Sequence, residues 1–189
     1  MKIMCVEKKK IPERIVAKTI VSKENIFDLI GNSDICWIER SVAEKDVNYK
    51  QLIPYILLKN ENSLFACYQR HGTETRLHGK YSAGVGGHID EPDNQNDVVK
   101  TIEAGMYREL SEELNNFEKS CIDLKYCGII NEVESEVGLV HLGIVFVAEC
   151  KNGYVPTAAS ELKNMEWKSA EEIGKLDKEL WTELAFRLM

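Results

Sequence analysis

Between residues 97 and 115 the chain carries one long amphipathic segment, and that segment decides how the rest must be arranged. Asp97 or Asn96 can cap a helix there. Val99, Ile102, Met106 and Leu110 recur at spacings of three and four, which predicts a single buried stripe. A helix with one apolar stripe needs an apolar surface to lie on, and the flanking sequence supplies strands. LIPYILLK (52–59) and SLFACYQR (63–70) flank Asn60-Glu61-Asn62 and read as a hairpin. The runs 122–130 and 139–149 are strand-like, Asn152-Gly153 is a turn signal, and EWKS (166–169) reads as a short strand. Amphipathic helices are expected over 170–175 and 177–188. This order predicts one α/β domain, with a mixed sheet between helices, over residues 48–189. Residues 1–47 read as an N-terminal extension packed on that domain. Within it, Ser22 to Gly31 reads as a short helix, capped by Ser22 and ended by Gly31.

Charge and cysteine usage narrow the partners. With a formal net charge of -7 the chain lacks the basic stripe that sequence-blind nucleic-acid binding needs. An anionic small substrate fits only if a cation is recruited. No apolar run approaches a membrane span, and MKIMCVEKKKIPER has no apolar stretch behind its charges to make a secretion signal. Cys5, Cys36, Cys67, Cys121, Cys127 and Cys150 form no CxxC pair, and most sit in apolar runs. They read as reduced core thiols of a cytoplasmic protein without nucleic-acid or membrane partners. Trp181, Leu184, Phe186 and Leu188 could serve a homodimer as well as a core.

The helix ends in an acidic wedge. At about 100° per residue, Glu113 falls roughly 40° to one side of Glu109 and Glu112 roughly 60° to the other. That is the sector occupied two turns earlier by Ile102 and Met106. A solvated face is the usual meaning of a glutamate cluster, but it fits poorly here. The carboxylates continue a buried stripe, repel one another, and oppose the helix dipole in a last turn. Three unfavourable terms of one sign call for a positive partner, and a hard divalent cation held by oxygen ligands supplies it. Just upstream, GVGG (84–87) is a tight turn whose Gly87 leads toward the helix, so its carbonyl could join the carboxylates.

Those residues resemble the Nudix box, G-x5-E-x7-R-E-U-x-E-E-x-G-U, where U is a bulky aliphatic residue. Gly87 matches the first glycine. Arg108, Glu109, Leu110, Glu112 and Glu113 match R-E-U-x-E-E without a gap. QLIPY, ETRLHGKYSAGVGGHI and VHLGIVF are similar to a Nudix branch described as phosphoesterases, so the resemblance covers most of 48–170. Three features depart from the pattern. Asp93 stands where the first glutamate belongs. Fourteen residues rather than seven separate Asp93 from Arg108, a seven-residue insertion assigned to 94–100. Asn115-Asn116 replaces the closing Gly-aliphatic pair, with Asn the next-best residue for a left-handed helix end.

The resemblance implies a Nudix-type sandwich and hydrolysis of a nucleoside diphosphate linked to another group. It implies Mg²⁺ or Mn²⁺ on Glu109, Glu112, Glu113 and the Gly87 carbonyl, with Arg108 clamping the loop against the helix. Glu161, six residues before Trp167, matches a loop glutamate that some members use as metal ligand or base. Arg70, Arg76 and Lys80 are candidate phosphate contacts, though each could equally be surface charge. His71, His78, His88 and His141 lack metal spacing, and His88 reads as a pocket-lining residue. Two other functions stay open at this stage. One is a Nudix-fold module that senses a nucleotide without cleaving it. The other is an interaction protein whose acidic wedge binds a basic partner.

Overall fold

The computed structural model describes residues 1–70, 79–160, 162 and 164–189. In chain order the elements are β1 (Lys2–Glu7), α1 (Glu13–Val16), β2 (Ile20–Ser22), α2 (Ile26–Leu29), β3 (Ile35–Glu39) and α3 (Arg40–Ala43). Then follow β4 (Tyr49–Lys59), β5 (Phe65–Gln69), β6 (Tyr81–Ser82), β7 (Gly84–Gly86) and α4 (Val98–Glu113). The chain closes with β8 (Ile122–Asn131), α5 (Glu136–Val140), β9 (His141–Cys150), β10 (Glu166–Lys168), α6 (Ala170–Gly174) and α7 (Leu180–Phe186).

The sheet runs β10-β5-β4-β9-β8-β2, with β4 and β9 parallel at its centre and the other pairs antiparallel. The edge of β4 opposite β9 is shared. β1 pairs with Tyr49–Gln51, β7 with Tyr55–Leu57, and β5 at Lys59. Pro54, which has no N–H to offer a ladder, lies in the gap between the first two.

Strand alternation builds both layers of the core. Leu52, Ile56 and Leu58 of β4, with Leu142, Ile144, Phe146 and Ala148 of β9, pack with Ile102, Met106 and Leu110 of α4. Tyr55 and Leu57, with Val145 and Val147, pack on the other face with Ile173, Leu184, Ala185 and Leu188. The expected α/β sandwich, a mixed sheet between helices, is the observed one. Leu184 and Leu188 therefore serve the core, and Trp181 and Phe186 pack beside them.

Several sequence expectations shift. The buried residue in the first turn of α4 is Val98, not Val99, which is 36% exposed. Starting the stripe one residue early follows from the Asp97 cap, whose side chain accepts from the Lys100 amide. Ser22 caps no helix. It ends β2, which pairs with β8, and Asn25 caps the shorter α2. Residues 136–140 form a helical turn, so the strand expected from 139 begins at His141. No left-handed Asn closes α4. Leu114 is extended and bridges Ala158, while the Asn115 amide donates to the Thr157 carbonyl at 3.0 Å. A tertiary partner thus satisfies the helix end that a local cap would otherwise satisfy.

β1 adds to the edge of β4, and Met4 and Val6 join the core beneath α4. We propose that residues 1–47 fold with 48–189 as one cooperative unit. Limited proteolysis of the whole chain is expected to leave it near full length. Rapid release of a stable fragment beginning near residue 48 would show two separate units.

Candidate active site

The glycine turn is shaped by close approach rather than by unusual dihedrals, since Gly84, Gly86 and Gly87 are absent from the positive-φ residues. A Cβ on Gly87 would lie 2.3–2.5 Å from the carboxylate atoms of Glu109. No side chain larger than hydrogen lets the turn seat on the helix there. Behind the turn, the Gly84 carbonyl accepts from the Tyr68 hydroxyl at 2.8 Å and from Ser82 Oγ at 3.2 Å. Ser82 also donates to Glu179 Oε1 at 2.6 Å, and Tyr55 donates to the same oxygen at 2.8 Å. This buried network ties the turn to the start of α7.

Arg108 gathers the acidic groups. Its Nε lies 3.2 Å from Asp93 Oδ1 and its Nη2 3.0 Å from Asp93 Oδ2, a two-pronged contact. Nη2 also donates to the His88 carbonyl at 2.7 Å, and Nη1 to Glu109 Oε1 at 2.7 Å and Glu112 Oε2 at 3.3 Å. Asp90 Oδ2 stands 3.7 Å from Nη2. Asp93 therefore reaches Arg108 despite being one methylene shorter than glutamate. Gly105 makes room for it, because a Cβ there would meet Ile89 and Asp93 at 3.0–3.2 Å. The insertion lengthens the loop and the first turns of α4 upstream, and leaves the Arg108–Glu113 register intact.

The three glutamates differ in environment. Glu109 is largely buried, Glu112 is exposed and Glu113 is half-buried. Burial raises the Glu109 pKa, with Glu112 and Asp90 adding to the rise and Arg108 opposing it. Burial likewise raises that of Asp90, whose Oδ1 is buried without a hydrogen-bond partner. For Arg108, burial disfavours the charge, but the bonds to Asp93 and Glu109 outweigh it and hold the guanidinium protonated. Among the described residues, no three carboxylate, thiol or imidazole groups already converge as a metal-ligand set. Arg108 Nη1 bridges Glu109 and Glu112 and serves as their cation. The donor chemistry still fits a hard divalent ion: three carboxylates from two successive turns, beside a backbone held against one of them.

The other candidates are distributed around this centre. Arg70 Nε is 3.7 Å from Glu179 Oε2 and Lys80 Nζ 3.5 Å from Asp177 Oδ1. The Arg70 amide donates to the Lys80 carbonyl at 2.8 Å, so the two flank the stretch that contains Arg76. Arg76, His71, His78 and Glu161 lie outside the described residues. The neighbours of Glu161 are nonetheless tied to the helix end, since the Ala159 amide donates to the Glu113 carbonyl at 2.8 Å.

Sequence reading missed the polar groups behind His88. Gln51 is fully buried at the start of β4, and His141 opens β9 directly beside it in the parallel register. His88 Nε2 lies 2.8 Å from Gln51 Oε1 and 3.5 Å from His141 Nε2. A polar residue leading an apolar strand was the available signal, but only strand pairing brings these three side chains together.

No protein-family model matches the chain. It is 35% identical over 147 residues to Protein YmaB of Bacillus subtilis (strain 168), covering 74% of this chain and 69% of that one. The fold matches Tm1382, a candidate Nudix hydrolase, with a TM-score of 0.78, 24% identity, and coverage of 100% of this chain and 98% of the other. It also matches the Nudix domain of Shewanella oneidensis NrtR, solved with ADP ribose, at TM-score 0.57 and 11% identity over 74% of this chain and 85% of that one. A bifunctional NMN adenylyltransferase/ADP ribose pyrophosphatase from Francisella tularensis, complexed with AMP and a Mn ion, aligns at TM-score 0.54 and 16% identity. That match covers 74% of this chain and 40% of the other. The relationship to Protein YmaB places the two chains in one family, and the fold this chain shares with Tm1382 is the Nudix fold.

Proposed function

We propose that the protein is a metal-dependent pyrophosphohydrolase that cleaves a nucleoside diphosphate linked to another group. The observation that carries this reading is the largely buried Glu109 carboxylate, pressed against Gly87 and flanked by Glu112 and Glu113. Arg108 sets a single positive charge against these carboxylates and Asp93, so a hard divalent cation adds to what the guanidinium supplies. ADP ribose in one structural neighbour, and AMP with a Mn ion in another, support a nucleotide derivative as ligand.

Glu109, Glu112 and Glu113, with the Gly87 carbonyl, would hold Mg²⁺ or Mn²⁺. Such an ion supplies a Lewis acid that offsets phosphate charge and makes water a better nucleophile. The chain's own residues do the rest. Arg108 fixes the glycine turn against α4 through Asp93 and the His88 carbonyl, which sets where the carboxylates point. Arg70 and Lys80, with Arg76, would meet the phosphate oxygens. Glu161 would take the proton from the attacking water, a role worth about 10²–10⁴-fold. The reaction needs positioning and charge stabilisation more than covalent help. Among the described residues no helix is long and apolar enough to cross a membrane, and six free cysteines fit a reducing cytoplasm.

The test is a turnover screen with Mg²⁺ or Mn²⁺ across dinucleotides, nucleotide sugars and nucleoside triphosphates, with product analysis. Cleavage at a phosphoanhydride is expected, and Glu161→Ala should lower turnover at least about 100-fold. Tight nucleotide binding without turnover would make the protein a sensing module instead. Full turnover in Glu161→Ala would remove that residue from the site.

A further inference from the structure

The sheet carries a side branch. β1 lies between β4 and β3, and among the described residues β3 pairs with β1 alone. The strands that end the main path, β2 and β10, have three residues each, whereas β3 has five. Shortness, proline, lysine and bulges are the devices by which folded chains blunt an open edge. The sequence ICWIE of β3 holds no proline or lysine, and its register against β1 runs without a bulge. The following helix does not cover the edge. Ala43 of α3 is buried in one cluster with Ile3 and Cys5 of β1, so α3 folds back over the branch.

Strand parity tells which backbone groups point outward. The Met4 amide donates to the Ile89 carbonyl at 2.8 Å and the Lys8 amide to the Asn48 carbonyl at 2.7 Å, so the even residues of β1 turn away from β3. Ile3 and Cys5 therefore face Ile38 and Cys36, and the Arg40 amide donates to the Met1 carbonyl at 3.0 Å in the same phase. By alternation Ile35, Trp37 and Glu39 turn their backbone groups to the open side. The Ile35 amide already donates to the Asn32 carbonyl. The Glu39 carbonyl heads the first turn of α3. What remains are the amides of Trp37 and Glu39 and the carbonyls of Ile35 and Trp37. This set complements itself when a second copy runs antiparallel with Trp37 opposite Trp37.

We propose that β3 is the interface of a homodimer, in which two copies join their edge strands about a two-fold axis at Trp37. The Trp37 amides and carbonyls bond one another, and each Glu39 amide donates to the Ile35 carbonyl of the second copy. Cys36 stands opposite Ile38 of the second copy on one face, and the two Trp37 side chains stand opposite each other on the other face. The same register carries Asp34 toward Arg40 of the second copy. Opposite charges thus meet at both ends of the strand, and no like charges stand opposite. Asp34 also lies 3.5 Å from Lys10, and Arg40 2.8 Å from Glu44. The charges therefore orient the pairing, while the main chain and the apolar residues hold it.

Sedimentation of the whole chain measures the association, and a dimer is expected. Glu39→Pro removes one outward amide from each copy. The φ of Glu39 is -54°, which suits proline, so the pairing with β1 should survive. The dissociation constant of the dimer should rise at least about 100-fold. Glu39→Ala keeps the amide and should stay within about three-fold of wild type. Both variants lose the Glu39 bond to the N-terminal amine, so their difference reads the backbone amide. The register has its own readout. Ile38→Cys sets a thiol opposite Cys36 of the second copy, in a pair close enough for a disulfide. Oxidation with copper phenanthroline is expected to give a covalent dimer, which adding Cys36→Ser abolishes. A wild type that is monomeric at about 100 μM, or a dimer unmoved by Glu39→Pro, would overturn the proposal. If Glu39→Pro fails to fold, the crosslink decides: a covalent dimer that requires Cys36 supports the interface, and its absence overturns it.

Discussion

Glu109→Gln is expected to abolish tight Mn²⁺ binding and to lower turnover by at least about 10²-fold, the scale of losing one preorganised electrostatic contact in a water-poor site. Glu109 is the carboxylate that the fold commits most strongly. It lies against Gly87 with no room for a Cβ between them, and burial raises its pKa despite Arg108. The amide is nearly isosteric, so the turn should still seat, but it offers a cation no charge. Calorimetry with Mn²⁺ on wild type, Glu109→Gln and the double variant Glu112→Gln plus Glu113→Gln gives the answer. Binding as tight in Glu109→Gln and the double variant as in wild type would remove the metal from this wedge. Normal binding in Glu109→Gln with loss in the double variant would move the ion toward the exposed end of the helix.

Arg108→Ala is expected to cost about 3 kcal/mol of stability, the low end for breaking a buried ion pair from one side. The low end applies because Arg108 is 27% exposed, while the Asp93 side chain it pairs is 8% exposed. Truncation leaves Asp93 and Glu109 uncompensated and the His88 carbonyl without its donor. For a domain of this size, that should lower the melting temperature by roughly 6–12 °C. Arg108→Lys keeps a charge but cannot span Asp93, His88 and Glu109 together, so it should fall between the two. Thermal unfolding in metal-free buffer is the measurement. An Arg108→Ala protein that melts with the wild type would mean that the cluster is solvated and the clamp does not exist.

The sequence by itself determined the layers and the wedge. The apolar runs 52–59 and 139–149 marked the strands, and the three-and-four spacing of Ile102, Met106 and Leu110 marked one helix with a single buried stripe. These patterns are local, so they survive without knowledge of partners. The register of Glu109, Glu112 and Glu113 on α4 is local as well, which is why a one-turn wheel located the acidic site. The box residues carried the resemblance for the same reason.

Whatever depended on two distant segments was decided only by the tertiary structure. Asp93 could be expected near Arg108 but not shown to reach it, because the reach depends on Gly105 admitting the loop. The end of α4 is closed by Thr157 and Ala158 rather than by a left-handed Asn, since a strand-like bridge satisfies the same backbone groups. Ser22 reads as a helix cap by its chemistry, yet β8 recruits it into a strand. Gln51, His88 and His141 carry no spacing signal at all, being 37 and 53 residues apart along the chain. The parallel register of β4 against β9 sets Gln51 opposite His141, and the glycine turn lays His88 across both. Local preference fixes which elements form, whereas burial and strand pairing fix which polar side chains meet. A site made of such meetings becomes readable only once the chain is folded.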